Sequence, residues 1–252
     1  MPFPNFEGKH DAPSVFTPVD LLDGVEETLP PALVVCYQDA FFEEVVAEYA
    51  EETIDVAGTI GEVYRVTDDV AVVGDFGIGG PVTAGLVEEK AELGVEKICI
   101  LGGAGCLDPS ITPDRPVVAT RAIRDEGASY HYLPPEATAE PSPTLVDALT
   151  VELGAAGQQV ATGPTWTTDA FFRETVPEVE RYAEQGVLSV EMEAATLFAV
   201  AEYVGVDAAA VFAIGDYVTA DDRTVPEASH ALLPELFEPV VETLAASVRD
   251  GD

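Results

Sequence analysis

The stretch Ser189-Val190-Glu191-Met192-Glu193-Ala194-Ala195 puts two carboxylates and a thioether where a β-branched run gives way to helical spacing. A carboxylate at such a junction can accept from two neighbouring hydroxyls at once, which suits the 2′,3′-diol of a ribose. Met192 can pack against the apolar face of a sugar. The same acids also suit the positive end of a helix dipole, with Met192 in the core. From residue types alone this plainer role has the better claim.

These side chains need elements to position them. Short β-branched runs alternate with helical patterns along the whole chain. The spacing predicts strands over 32–36, 70–73, 97–101, 117–120, 158–162, 187–190 and 208–214. It predicts helices over 41–49, 81–93, 144–153 and 191–204, and an amphipathic helix over 228–248. Pro81 stands in the favoured first turn of its helix. Such alternation implies an α/β fold, with a central mixed, largely parallel β-sheet flanked by helices. No repeat, linker or composition break appears, so residues 1–252 are expected to form a single domain. Ligands of such sheets bind beyond the carboxyl ends of strands. That rule selects the glycine-rich 74–80 and 102–107, the stretch 166–173, the turn 191–193, and 215–218.

Composition narrows the function. Lys and Arg number 11 against 47 Asp and Glu, a formal charge of −36, with the acids spread along the chain. In dilute buffer such charge repels itself; in molar salt the Debye length falls to about 3 Å and the repulsion is screened. The expectation is a halophilic protein. Nucleic-acid binding, which needs a basic face, is excluded. Residues 1–11 contain two prolines and no apolar core of a signal peptide. No apolar run approaches the roughly 20 residues that span a bilayer. Cys36, Cys99 and Cys106 are odd in number and fit no zinc spacing, which implies reduced thiols in the cytoplasm. His131, among aromatics, reads as a hydrogen-bonded structural residue. Ser129 and Asp169 form no triad by spacing, and no ligand cluster argues for a metal.

The segment "VEMEAATLF" resembles the ribose-binding signature of the nucleoside phosphorylase superfamily, which includes uridine phosphorylase, bacterial purine nucleoside phosphorylase and the methylthioadenosine nucleosidases. Four further segments are similar to that family and follow its order. They are Gly77-Ile78-Gly79-Gly80-Pro81 with "VEEKAELGVEK", "GGAGCLDP" from Gly102, "RDEGASYHYLP" from Arg124, and "TTDAFF" from Thr167. The resemblance implies the phosphorylase/nucleosidase fold and reversible phosphorolysis of a nucleoside to base and ribose 1-phosphate, as in a uridine phosphorylase. It implies phosphate as co-substrate, no cofactor or metal, and a dimer-based homo-oligomer, possibly a hexamer. By position, Glu193 would bind the ribose hydroxyls with Met192 beside it. Gly79 and Gly103 would let backbone N–H groups approach the anion. Thr168 and Phe171 would lie near sugar and base, and Asp216 would be catalytic, protonating the leaving base.

The sequence departs from the family at two places. "DEGASYHY" favours the pyrimidine branch while Asp216 favours the purine branch, and Thr175 and Pro177 stand where uracil would be read. The positions of three phosphate-binding arginines hold Ile100, Phe41 and a residue near Thr59. Arg124 and Arg173 are the leading substitutes, ahead of Arg65 and Arg121. Two alternatives stay open: a nucleosidase that uses water, and a non-catalytic nucleoside-binding protein.

Overall fold

The computed structural model describes residue 6 and residues 8–249. The reading of residues 1–11 therefore falls partly outside the described residues. In chain order the elements are α1 (Pro18–Leu21), β1 (Ala32–Val35), α2 (Asp39–Tyr49), β2 (Glu52–Ile54), β3 (Glu62–Arg65), β4 (Val70–Gly74), α3 (Gly80–Glu92), β5 (Lys97–Cys106), β6 (Val117–Asp125) and α4 (Pro143–Ala155). There follow β7 (Ala161–Thr168), α5 (Val176–Glu184), β8 (Ser189–Glu191), α6 (Ala194–Val204), β9 (Asp207–Val218), β10 (Arg223–Thr224) and α7 (Leu233–Arg249).

The strands form one sheet in the order β10-β9-β6-β7-β8-β5-β1-β4-β3-β2, with β9 also paired to β5. Pairs β1–β4, β1–β5, β5–β9, β6–β7 and β7–β8 are parallel. Pairs β2–β3, β3–β4, β5–β8, β6–β9 and β9–β10 are antiparallel. The sheet is thus mixed with a parallel centre, as expected. Both faces are covered, so the central strands read as unbroken apolar runs. Alternate side chains still part to opposite faces. Leu33 and Val35 join the layer under α3 and α6, whereas Ala32 and Val34 join the layer under α2, α4 and α7. All three cysteines are buried free thiols.

Two strand ends differ from expectation for one reason. Glycine weakens strand propensity and reads as loop, but pairing overrides it. Segment 102–105 lies within β5, because β9 pairs with it from Lys97↔Asp207 to Cys106↔Tyr217 across a register shift at Ala104/Gly105. Segment 215–218 is likewise the end of β9. The seventh strand begins at Ala161, later than 158–162 predicted. Helix α7 starts at Leu233 and tolerates Pro239 inside it.

One consequence of this topology frames the site. Strand β9 occupies one edge of β5 along its whole length. On the other edge β1 pairs only as far as Ile100, and β8 only at Gly105 and Cys106. Residues 101–104 face a split in the sheet there.

Candidate active site

The two carboxylates of 191–193 divide the roles proposed for them. Glu191 accepts from Thr167 Oγ1 (2.6 Å), Ala194 N (2.6 Å), Glu193 N (2.7 Å) and Thr165 Oγ1 (3.3 Å). It satisfies the first N–H groups of α6, so the plainer helix-end role belongs to Glu191. Glu193 instead accepts from Gly79 N (2.7 Å) and Met192 N (3.2 Å). It ties the glycine-rich turn before α3 to the start of α6. Burial, then the neighbouring Glu191, pushes the Glu193 carboxyl well above the usual range. A carboxylate has about four acceptor positions, so two stay open on Glu193 for further donors.

A cleft of about 190 Å³ lies at the carboxyl ends of β5 and β9. Gly103, Gly105, Phe171, Met192, Asp216 and Arg223 are among the residues that line it. The widest hollow described, about 830 Å³ between α4 and α7, includes Lys97 and so lies at the opposite end of β5. Position relative to the strands, not size, singles out the smaller cleft.

Asp216 is buried on β9, and the guanidinium Nε of Arg223 donates to its Oδ2. The antiparallel turn back from β9 to β10 brings them together, with Arg223 paired to Val218. Glu174 joins them. Burial, then the charge of Asp216, raises its carboxyl to about 7, against the opposing effect of Arg223. One end of the cleft therefore holds two carboxylates and a guanidinium. His230 also lines the cleft.

The structure brings together Met192, Phe171, Gly103 and Asp216, and the acid of the 191–193 pair that lines the cleft is Glu191. Five other candidates lie elsewhere, Glu193 among them, where it accepts from Gly79 N. The N–H of Gly79 is taken by Glu193, and a Cβ there would meet nothing within 4 Å; its glycine answers to a φ of +97° rather than to an approaching anion. Thr168 Oγ1 accepts from Ala170 N (3.3 Å) in a local turn and does not line the cleft. Arg124 is spent on structure: it donates to Ser129 Oγ and to the carbonyls of Leu133, Pro134 and Ala137, and stacks over Tyr130. Arg173 is exposed on the 3-10 turn Phe171–Arg173 and does not line the cleft. Sequence reasoning missed Arg223, Glu174 and His230. The only local signal was Thr219-Ala220-Asp221-Asp222, a turn-rich run that can fold Arg223 back on Asp216.

A family model described as "Phosphorylase superfamily" matches residues 33–249. A guanosine phosphorylase of Halorubrum lacusprofundi is 38% identical over 133 residues, covering 52% of this chain and 54% of the relative. A uridine phosphorylase of Haemophilus influenzae is 32% identical over 153 residues, covering 54% and 59%. The chain spans little more than half the length of these curated relatives. The crystal structure of a uridine phosphorylase from Vibrio fischeri ES114, complexed with 6-hydroxy-1-naphthoic acid, superposes with a TM-score of 0.72 at 21% identity, covering 88% of this chain and 92% of that one. That last likeness is one of fold.

Proposed function

The chain belongs to the Phosphorylase superfamily, and from that membership we propose that it is a nucleoside phosphorylase. In this reading a phosphate oxygen attacks C1′ of a nucleoside, the C1′–N bond breaks with its electron pair going to the base, and ribose 1-phosphate forms. Glu193 accepts from the ribose hydroxyls and Met192 packs on the sugar. Phe171 stacks on the base. Asp216, in its protonated form and released from Arg223, hands a proton to the departing base, and the freed guanidinium stabilises the negative charge that develops there. The observation that carries the reading is the meeting of Met192, Gly103, Gly105 and Asp216 in one cleft at the carboxyl ends of β5 and β9. A dimer-based homo-oligomer is part of the proposal.

The base is proposed to be a 6-oxopurine, guanine first. Guanine presents N1–H and a 2-amino group side by side, and one carboxylate can accept from both. Glu174, beside Asp216 and Arg223, supplies such a carboxylate. The guanosine phosphorylase named among the relatives supports the same choice. Uridine is the second reading, supported by the relative named uridine phosphorylase. Uracil offers Glu174 a single N3–H between two carbonyls, which is a poorer match.

The test is base release from guanosine, inosine, adenosine and uridine in molar KCl, with and without phosphate. Phosphate-dependent release with ribose 1-phosphate, fastest from guanosine, is the expected result. Equal release without phosphate, giving free ribose, replaces phosphorolysis with hydrolysis. Nucleoside binding with no base release leaves only a binding protein.

A further inference from the structure

The turn before α3 is held from outside. Asp75, Gly77 and Gly79 stand at φ of +56°, +89° and +97°. A left-handed aspartate is uncommon, and Gly79, with ψ at 166°, lies in a region open essentially to glycine alone. Such a turn has little shape of its own and keeps one only where its surroundings over-determine it.

Two buried residues supply that hold. Tyr37 lies two positions past the end of β1, and Thr83 lies in the first turn of α3. Thr83 binds the Gly79 carbonyl twice, through its N–H (3.2 Å) and its Oγ1 (3.0 Å). A hydroxyl has one proton. With the Thr83 proton on Gly79 O, Tyr37 is the donor in the 2.7 Å contact between its Oη and Thr83 Oγ1. The Tyr37 ring also meets Phe76 of the turn edge-on, with 5.2 Å between centroids and 75° between planes. Burial raises the pKa of the Tyr37 hydroxyl and the charge of Glu193 raises it further, so it stays a neutral donor. Neither residue belongs to a motif read from the sequence.

The N–H of the same glycine faces the ribose candidate. Gly79 N donates to Glu193 Oε1 (2.7 Å), and Met192 N donates to Glu193 Oε2 (3.2 Å). One glycine is therefore fixed at its carbonyl by Thr83, with Tyr37 behind, and at its N–H by Glu193. Glu193 does not line the cleft, so its reach to a sugar depends on what holds it. We propose that Tyr37 and Thr83 are positioning residues for the sugar, acting through Gly79 to set where the Glu193 carboxylate stands. This rests on the ribose role given to Glu193 above. A turn free to swing would carry the Gly79 N–H off Glu193 and let the carboxylate change rotamer. A diol rewards an acceptor only at a narrow distance and angle. Recognition of the 2′-hydroxyl is then what the clamp controls.

The test reads that recognition, which a merely structural role would leave alone. Calorimetry in molar KCl without phosphate gives Kd for guanosine and for 2′-deoxyguanosine, and their ratio cancels every contact to the base. Uridine and 2′-deoxyuridine replace the pair if uridine is the nucleoside bound. The proteins are wild type, Tyr37→Phe, Thr83→Val, Thr83→Ser and Glu193→Ala, each shown to be folded by its thermal midpoint. Tyr37→Phe keeps the ring on Phe76, and Thr83→Ser keeps the hydroxyl. Wild type should prefer the ribonucleoside about tenfold or more, and Tyr37→Phe and Thr83→Val should cut that preference about three- to tenfold, while Thr83→Ser keeps it. An undiminished preference in both Tyr37→Phe and Thr83→Val, with a collapse in Glu193→Ala, overturns the clamp and leaves the ribose role standing. An undiminished preference in Glu193→Ala, or a wild type that shows none, removes the ribose role and the proposal with it.

Discussion

Two carboxylates separated by one residue end up with different work. Glu191 is consumed by donors of β7 and α6, while Glu193 keeps acceptor capacity and fastens the 77–80 turn. Glu193→Gln can still accept from Gly79 N but cannot ionise to meet the ribose hydroxyls. Turnover should fall about 10- to 150-fold, the range of a lost charge-assisted contact, with little change in thermal midpoint. Glu193→Ala should lose the same turnover and also about 1–3 kcal/mol of stability, because a buried N–H is stranded. Near-normal activity in folded Glu193→Ala would remove the ribose role. At the other end of the cleft, Asp216→Asn should slow purine phosphorolysis about 100-fold. Glu174 titrates near 7, above its ordinary range, so it is mostly protonated at pH 6 and ionised at pH 8. Guanosine needs the ionised form as acceptor. The guanosine KM should therefore fall as pH climbs from about 6 to about 8, and Glu174→Gln should flatten that profile. A wild-type KM that rises over this window contradicts the role given to Glu174.

The elements that hold these residues are strand ends, and the strand ends are where sequence and structure part. The apolar strands and long helices were legible because their periodicity is strong, and β1, β4, α2, α3 and α4 lie within a few residues of expectation. Strands β2, β3 and β10 are too short to show a period, and helix α5 has only nine residues, with a narrow apolar stripe of Val176, Val179 and Ala183. The strand expected over 208–214 runs on past Gly215, and pairing with β5 keeps Asp216 in the ladder. The motifs pointed to Met192, Phe171, Gly103 and Asp216, which line one cleft, and to Glu193, which does not line it. They did not point to Arg223, Glu174 and His230, because each reaches the cleft by tertiary placement that no local spacing encodes. The register shift at Ala104/Gly105 is the device that sets Asp216 beside Gly105. A Cβ at Gly105 would lie 2.9 Å from Val190 Cγ1 and Val218 Cγ2, and 3.2 Å from Asp216 Oδ1. Gly105→Ala should cost about 1–3 kcal/mol by overpacking and lower kcat/KM as Asp216 shifts. Thermal unfolding and kinetics on one preparation check both; unchanged values would mean the ladder absorbs the methyl group.

For the molecule as a whole, charge dominates. Against 47 acidic residues the described residues hold five ion pairs, so most carboxylates face water or one another. The core beneath them is ordinary: apolar layers on both faces of a twisted sheet. Stability should therefore depend on screening rather than on packing. The thermal midpoint and the activity should climb from about 0.1 M to about 3 M KCl as the Debye length shrinks from about 10 Å to below 3 Å. A midpoint indifferent to salt would take away the halophilic reading.

The cleft combines fixed and movable parts. Part of its lining belongs to β5 and β9, and α6 is buried from Ala194 to Ala201. Its lining also includes exposed Phe171 on a 3-10 turn and Arg223 on a two-residue strand. Traffic through the cleft is then a loop event, on the microsecond-to-millisecond scale usual for such segments. On the proposed function, escape of a stacked purine past Phe171 should set the pace of turnover: kcat should fall in proportion to solvent viscosity when sucrose is added, whereas Phe171→Ala should release the base faster and make kcat insensitive to viscosity.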